Sequence, residues 1–534
     1  MRTSAPTAAI LRRVPVVRTF VAAIHTTTHP NVVRRFLLLE EGDTCDELRR
    51  AESERILRAQ KFIAQASVRV LPDSEGGVTL VVDATDEIAL VANVATSPGN
   101  PPLRYLQLGD GNLSGEGIYL AADWRDGKPF RNGFGAHLID YQLFGRPYTF
   151  DAQGHQNPLG ADWQINALHP YFTDVQRIAW LAQSGATDGY VQFFNDINSS
   201  HALHVARNFF DVGGIIRVGP PGRLSLFGAT ISGDDERPNN EPVLVTTNGF
   251  ASDSTGAVLR GRYRDHRMAR VNALWGVRDI GFARVVGFDA LTATQDLPIG
   301  FQLGTLLGRS LSVLGSRDDD IFMAADLYVG AVGRNNGLRF QLEAEGRRSN
   351  DDNEWDGVLM DSRAVEYLKF TPRHTLTMSL EYSGGWRGRT PFNLTLSDPI
   401  GGVRGFAASN IPGGQRLVAR LENHVFLGRP FNLGDLGVGA FVDAGRLWAG
   451  DVPYGVDTPF RESVGVSLLA TVPTASSRMW HLDLAIARNP DLTGHHVELR
   501  IGNTDKSTFF LQQPRDFEAA REPTVPSSVF RWPR

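Results

Sequence analysis

The sequence has little lysine, a single cysteine and no long apolar run. Lysine occurs four times in 534 residues, so nearly all of the basic residues are arginine. Cys45 has no second cysteine with which to form a disulfide within the chain. No run of about 18 apolar residues occurs, so the sequence predicts no membrane-spanning helix. The formal net charge of −5 gives no reason to expect a nucleic-acid partner.

Motifs that mark enzymes and cofactor sites are missing as well. We find no GxSxG nucleophile motif, no phosphate-binding loop and no cysteine and histidine spacing typical of zinc sites. His201 and His204 lie three residues apart, and on a strand such residues point to opposite faces, which does not suit a shared metal ion. The sequence therefore predicts a protein that is not an enzyme and that holds no cofactor and no metal ion.

Most of the chain has the alternation of apolar and polar residues that is typical of β-strands. From about residue 96 onward, short alternating segments are separated by clusters of Gly, Asn, Asp and Pro. Residues 338–345 and 480–487 are clear examples, with apolar residues at every second position. The sequence therefore predicts a mainly β protein beyond this point.

Two features favour a membrane barrel over a soluble all-β protein. The alternation continues for roughly 400 residues with almost no helix to cover the apolar faces, whereas a soluble chain of that length would normally divide into domains. The polar positions carry charges of both signs, as the wall of a water-filled lumen would. At about one strand and connection per 25 residues, we predict a transmembrane antiparallel β-barrel of about 16 strands over residues 96–504. A soluble all-β protein is the alternative.

The first part of the chain predicts a separate small α/β module over residues 14–92. Its second helix is predicted to begin at a capping box, in which Thr44 bonds the third helical amide and Glu47 reaches back. Residues 91–101 read as a linker to the barrel. The other predicted elements of the module are a strand over 16–27, a helix over 30–39 and two strands over 66–71 and 78–84.

The segment PIGGVRGFAASN at residues 399–410 holds one arginine among glycines, which let another chain approach closely. In the strand predicted over residues 436–445, apolar residues would face lipid and Asp443 would face the lumen, with glycines around it. An arginine and a carboxylate can form a bidentate pair, which fixes direction as well as energy. We therefore predict that Arg404 and Asp443 are partners inside the barrel.

GGVRGF and FVDAGRLW together resemble the paired signature of the BamA-type outer-membrane assembly superfamily, also called bacterial surface antigens. In that family the tip of a long extracellular loop folds back into the lumen, and its arginine meets the aspartate of an F-x-D-x-G strand. By this resemblance the inward-folded loop covers residues 388–414. The resemblance implies a loop-tip motif of Val403, Arg404, Gly405 and Phe406, with lumen partners Phe441, Asp443, Gly445 and Glu422.

The N-terminal module resembles a single polypeptide-transport-associated (POTRA) domain, which would lie in the periplasm. The bacterial assembly factor has several such domains, and two-partner secretion transporters usually have two. The resemblance extends from about residue 14 to about residue 504 and leaves residues 505–534 as a C-terminal tail. It implies a location in the bacterial outer membrane.

The resemblance also implies a function. The first and last strands of such a barrel pair poorly and open sideways, so that an unfolded outer-membrane protein can add its strand at the exposed edge. In this chain the seam would lie between residues 103–108 and 496–503. The implied partners are unfolded outer-membrane proteins or a secreted client, outer-membrane lipid, and periplasmic chaperones or lipoproteins. Two alternatives stay open: an exporter of a partner protein or of lipid, and, as another class of protein, a passive diffusion pore.

Overall fold

The computed structural model describes most of the chain. The described residues are 2–4, 26–74, 76–96, 103–126, 132–195, 200–246, 249–350, 353–407, 409–488, 497–504 and 513–523. None of the helices in these ranges has the length and apolarity that crossing a bilayer requires.

The N-terminal module has two helices and a small sheet. Its elements are β1 Arg2–Ser4, α1 Pro30–Arg34, α2 Glu47–Ala59, β2 Ile63–Pro72 and β3 Val78–Asp86. The sheet order is β1, β3, β2, with β1 parallel and β2 antiparallel to β3. The assignment of this module to the POTRA type stays a prediction.

Two details of the module differ from the sequence-based predictions. The N-cap of α2 is Asp46, whose carboxylate accepts from the Leu48 N–H at 3.1 Å, so the capping box of Thr44 and Glu47 was wrong. Glu47 instead accepts from Arg50 one turn later. The helix predicted over 30–39 ends at Arg34, and residues 16–25 of the predicted first strand lie outside the described residues.

The rest of the described chain, apart from a short C-terminal helix, consists of strands joined by turns and loops. The strands are β4 Leu90–Thr96, β5 Leu103–Asp110, β6 Ile118–Arg125, β7 Gly133–Asp140, β8 Thr149–Asn157, β9 Gly160–His169, β10 Ile178–Phe194, β11 Ser200–Val218, β12 Arg223–Pro238, β13 Val243–Thr246, β14 Gly249–Ser252, β15 His266–Val286, β16 Thr294–Ser310, β17 Asp320–Val332, β18 Asn336–Ser349, β19 Trp355–Thr371, β20 His374–Trp386, β21 Gln415–Gly428, β22 Asp435–Trp448, β23 Arg461–Thr471, β24 Met479–Arg488 and β25 Val497–Thr504. Short 3₁₀ turns occupy Leu113–Gly115, Leu143–Gly145, Ser312–Leu314 and Pro430–Asn432. The C-terminal helix is α3 Arg515–Ala520.

These strands close into an antiparallel barrel, as the sequence predicted. Within the described residues, β13 and β14 form a separate hairpin, and the other 20 strands make the wall. The predicted count of about 16 was therefore wrong, because strands β4 to β9 are only 7–10 residues long and follow one another closely. The first strand of the barrel, residues 90–96, also overlaps the segment 91–101 that was interpreted as a linker.

The two faces of the wall have opposite character. Leu338 is 48% exposed on the outside, whereas its neighbour Arg339 and the inward Glu343 are each 3% exposed. The same alternation holds along β24, where Leu482 and Leu484 face outward and Asp483 faces inward. The prediction of an apolar outer face and a charged lumen is confirmed.

The N-terminal module is docked against one end of the barrel, which we call the module end. Phe172, from the turn after β9, belongs to the apolar core of the module. The Arg58 guanidinium forms a bidentate pair with Asp296, with Nε to Oδ2 at 2.9 Å and Nη2 to Oδ1 at 2.8 Å. The Ser476 hydroxyl donates to Glu87 at 2.7 Å. The module thus contacts the turns before β10 and β24 and the start of β16, and it continues directly into β4.

Candidate functional site

The loop that connects β20 to β21, residues 387–414, folds into the lumen. Leu394 and Gly413 form an isolated antiparallel bridge, with both N–H···O distances at 2.9 Å. Leu394, Leu396 and Val403 are each 2% exposed or less. The loop therefore has a packed apolar core of its own inside the barrel.

A tight turn aims the tip of this loop at the wall. The Asp398 carboxylate accepts from the N–H groups of Ile400 at 2.9 Å and Gly401 at 2.7 Å. Arg420 on β21 donates to the carbonyl oxygens of Ile400 at 2.8 Å and Gly402 at 2.7 Å. These bonds satisfy the backbone of the turn, which a buried loop requires. They hold residues 400–402 in one position and direct the residues that follow toward β22.

One of these following residues is Arg404, which the structure brings together with Asp443. Arg404 Nε donates to Asp443 Oδ2 at 2.7 Å, and Nη2 donates to Oδ1 at 2.8 Å. Glu422 lies 3.1 Å from the same Nη2, and the guanidinium carbon lies 3.5 Å from the centre of the Phe441 ring. Asp443 is fully buried. The bidentate geometry fixes the orientation of the guanidinium as well as its charge.

The residues beside Arg404 are held by packing. Val403 and Phe406 belong to a buried apolar cluster with Leu396, Val418, Leu447 and Ala487. A Cβ atom placed on Gly445 would lie 2.5 Å from Val403 Cγ2, so a larger residue at 445 would push against the tip. The predicted loop-tip residues and lumen partners therefore lie together in one site, which we call the loop-tip site.

The loop-tip site also reaches the last strand. Gly405 has a φ of +92°, a conformation that favours glycine, and its N–H donates to Glu498 Oε2 at 2.8 Å. The Ala407 N–H donates to the same oxygen at 3.3 Å. Sequence reasoning missed Glu498. Its alternation with Val497 and Leu499 would have marked it as an inward carboxylate, but nothing local indicated its partner.

The loop-tip site is suited to holding a loop and offers no arrangement typical of catalysis. Its charged groups are engaged with one another, and Glu422 also bonds His424. Elsewhere, His201 pairs with Asp253 at 2.5 Å and His204 with Asp188 at 2.6 Å. In the part of the chain that the structure describes, no group of three or more His, Cys, Asp or Glu residues is placed to bind a metal ion.

The barrel closes where β25 meets β4, and this seam is short. Within the described residues, Arg500 lies opposite Ala95 and Ile501 opposite Val94, and the register extends no further. By contrast, β15 and β16 pair from Arg270 opposite Ser310 to Val286 opposite Thr294. The partner of the last strand is thus β4 and not the predicted segment 103–108, which forms β5, the second strand of the barrel.

Comparison with family models finds no match, and comparison with curated proteins finds none either. Among solved structures, the chain is similar to BamA from Haemophilus ducreyi lacking POTRA domains 1–3, with 13% identity and a TM-score of 0.37, over 90% of this chain and 82% of that one. It is also similar to CdiB from Escherichia coli, with 12% identity and a TM-score of 0.45, over 89% and 74% of the two chains. CdiB from Acinetobacter baumannii matches with 10% identity and a TM-score of 0.39, over 89% and 71%. With TM-scores below 0.5, these matches say nothing about what the chain does.

Proposed function

We propose that the chain is an outer-membrane protein assembly or insertion factor of the BamA type, which accepts unfolded β-strand clients at the seam between β25 and β4. The single observation that carries this proposal is that, within the described residues, a two-residue register closes the barrel, whereas the other neighbouring wall strands pair at six or more positions. A closed barrel with an apolar outer face fits the outer membrane. At the seam, the backbone N–H and C=O groups that do not pair across it can accept an incoming strand.

A client strand is expected to bind at the seam because backbone groups that are left unpaired in lipid are costly in free energy. Each unsatisfied group in hydrocarbon costs several kcal/mol, which is why barrels normally close completely. On the module side of the register, Asn93 and Gly502 would be the next pair, yet they do not pair. A client strand that bonds to these edges lowers the free energy. Burial of its apolar face in lipid then supplies the drive for folding, so no nucleotide is needed.

The loop-tip site supports the seam from inside the barrel. Glu498 lies two residues before Arg500, the first paired residue of the seam on β25. Its carboxylate accepts from the loop tip, which Arg404 fixes on Asp443. The position of β25 therefore depends on the loop-tip site, and we propose that this site keeps the seam in shape between rounds of client binding.

Client binding at the edge of the module is less favoured than binding at the seam. Strand β2 lies at one edge of the module sheet, but α2 already occupies part of that edge. The Val68 N–H donates to Glu54 at 3.0 Å, and the Val68 carbonyl accepts from Arg50 at 2.5 Å. A client strand would have to displace both side chains. We therefore place the first client contact at the seam.

A disulfide across the seam tests the proposal directly. In a Cys45→Ser background, Val94→Cys and Ile501→Cys face each other across the register, where directly opposite Cβ atoms lie about 4.5–5.5 Å apart. The matched control, Ala273→Cys with Leu307→Cys, places the same bond between β15 and β16 on the lipid side. The assay measures insertion of an unfolded barrel client into vesicles that contain the protein.

Oxidation of the seam pair should abolish client insertion, and a reductant should restore it, whereas the control bond should have no effect. Full activity of the oxidised seam variant would contradict the proposal. Depletion in the native host then separates the alternatives. General loss of outer-membrane proteins supports assembly, and loss of one secreted protein supports export. If depletion changes neither the outer-membrane proteins nor the secreted proteins, both assembly and export are contradicted, and the passive diffusion pore becomes the leading candidate.

A further inference from the structure

Residues 513–523, near the C-terminus, lie inside the lumen although they belong to no strand of the wall. Within this segment α3 buries Phe517 and Ala520 in a cluster with Leu359, Phe392, Leu394 and Val452. Two of these partners belong to the inward loop 387–414, one to β19 and one to the loop between β22 and β23. The segment therefore sits between the inward loop and the wall.

The first polar contact of the segment is an ion pair with β21. Asp516 accepts from Arg416 Nη1 at 2.6 Å and from Nη2 at 3.1 Å. The Asp516 carboxylate also accepts from the Thr395 N–H at 2.9 Å, and its own N–H donates to Asp398 Oδ2 at 3.1 Å. Asp398 is the residue whose other oxygen shapes the turn before the loop tip. The C-terminal segment and the loop-tip site thus share one carboxylate.

The second group of contacts lies on β18, β11 and β10. Arg521 donates to Glu345 Oε2 at 2.9 Å and to Glu343, and the next N–H, that of Glu522, donates to Glu345 Oε1 at 2.8 Å. The Glu522 carboxylate pairs with Arg347 and lies 3.8 Å from Arg207. The Pro523 carbonyl oxygen accepts from Gln183 at 2.6 Å.

The order of charges on the segment is complementary to the wall. The acid Asp516 meets an arginine, and the ring of Phe517 fills an apolar pocket. The base Arg521 then meets two glutamates, and the second acid, Glu522, meets two further arginines. Buried charges are stable only when each has its partner, so the wall positions match this sequence of side chains and few others. A helix of six residues has almost no stability alone, so the segment depends on the wall for its shape.

The geometry points to a peptide-binding site in the lumen, whose ligand is the chain's own segment 513–523, acting as a removable plug. Together with the inward loop, the plug closes the barrel to solutes. A segment held only by side chains and a few backbone bonds can leave without breaking any pairing between wall strands. The inference rests on the proposed function only in requiring that the barrel spans a membrane, and it does not depend on the seam.

The test is ion conductance of the reconstituted full-length protein in planar lipid bilayers. The variant Asp516→Ala with Arg521→Ala removes one acid and one base that face the wall. The control, Arg515→Ala with Glu518→Ala, removes one base and one acid from exposed positions of the same helix. Each variant therefore removes one positive and one negative charge, and neither alters the net charge of the segment. Heat-modifiable migration on gels verifies that each barrel is folded.

We expect a severalfold larger or more frequent conductance for the Asp516 and Arg521 variant and no change for the control. A folded variant truncated after Thr504 should conduct at least as well, and a synthetic peptide of residues 513–523 should close it again. Equal conductance of all folded variants would overturn the plug. Failure of the native protein to enter bilayers at all would instead contradict the proposed membrane function, so the two results are distinguishable.

Discussion

The seam and the β15–β16 wall are built from the same alternation of residues, yet they differ in how firmly they hold. Strands β15 and β16 have 21 and 17 residues and pair along almost their whole length. Strands β4 and β25 have 7 and 8 residues and pair at two positions within the part of the chain that the structure describes. Alternation therefore determines which face of a strand lies on the outside of the barrel, while strand length and register determine how many pairs hold its edge.

The two regions also differ in what supports them from inside. Asn272 on β15 donates to Thr230 at 2.8 Å and to Ser232 at 3.0 Å, both on the neighbouring strand β12. On β25, Glu498 bonds to a loop that crosses the lumen from between β20 and β21. The wall is thus stabilised by its neighbours, whereas the seam depends on a long-range contact that can be removed without touching any strand pairing.

The largest expected effect follows from the substitution Arg404→Ala. It leaves the Asp443 carboxylate buried without its bidentate partner, and loss of one member of such a pair costs about 3–5 kcal/mol. We expect the folded barrel to melt at a clearly lower temperature in heat-modifiable gel assays and client insertion to fall. Arg237→Ala, which removes an exposed arginine paired with Asp235, should change neither.

A double-mutant cycle separates the pair from its surroundings. Because Arg404→Ala and Asp443→Ala remove the two halves of one interaction, the double variant should be less destabilised than the sum of the single variants. Additive losses would show that the two residues do not act together, contrary to the geometry of the loop-tip site.

The next effect concerns the link between the loop and the last strand. Glu498→Ala leaves the Gly405 and Ala407 N–H groups without their acceptor, and a hydrogen bond to a charged group contributes about 1.5–3 kcal/mol. We expect faster hydrogen exchange in β25 and unchanged exchange in β16. Glu462→Ala on β23, two strands away from β25, where the carboxylate is exposed, is the control. Equal protection of β25 in both variants would contradict the proposed support of the seam.

A smaller effect is expected at Gly445. An added methyl group would lie 2.5 Å from Val403 Cγ2, and overpacking of this kind costs about 1–3 kcal/mol. Gly445→Ala should therefore displace the loop tip and raise exchange in β25. The control is Gly281→Ala on β15, where the added methyl group would meet its nearest atom, Ile299 Cγ1, at an ordinary 3.7 Å and should leave exchange in β25 unchanged. If Gly445→Ala left exchange in β25 unchanged, the loop tip would have to pack elsewhere.

The smallest predicted effect is a pH dependence at the module end. Burial would raise the pKa of Glu54, but the Val68 N–H and the Arg58 and Arg284 guanidinium groups hold that pKa below its usual value of 4.5. The contribution of Glu54 to docking is therefore present at neutral pH and lost as the pH falls through the range below 4.5. Protease access to the module should rise there, and β4 should exchange faster than β15. Glu54→Gln should remove this dependence, and an unchanged profile would contradict the assignment.

Much of the fold could be predicted from the sequence because the alternation of apolar and polar residues can be seen within a single strand. It identified the lipid-facing and inward positions of β18, β22 and β24 without any knowledge of their neighbours. The glycines around Arg404 and Asp443 likewise showed where a loop could approach the wall. The strand count and the first strand were missed, because the short strands of residues 90–169 carry too few alternations to be separated.

The contacts that sequence reasoning missed join residues that are far apart in the chain. Glu498 meets a loop about ninety residues earlier, and Arg521 meets glutamates that precede it by more than 170 residues. Charge complementarity of this kind depends on which strands close the barrel, and closure is decided by register rather than by composition. The tail could be recognised as rich in charge, but the position of residues 513–523 in the lumen could not.

Photo-crosslinking at the seam tests the central claim most directly. A photoreactive residue is placed at Ile501 on the seam or at Leu307 on the opposite wall, two lipid-facing positions that are 43% and 54% exposed. An unfolded barrel client is then presented to each variant in vesicles. We predict that the client crosslinks at position 501 and not at position 307. Crosslinking that is equal at the two positions, or found only at 307, would contradict a client site at the seam.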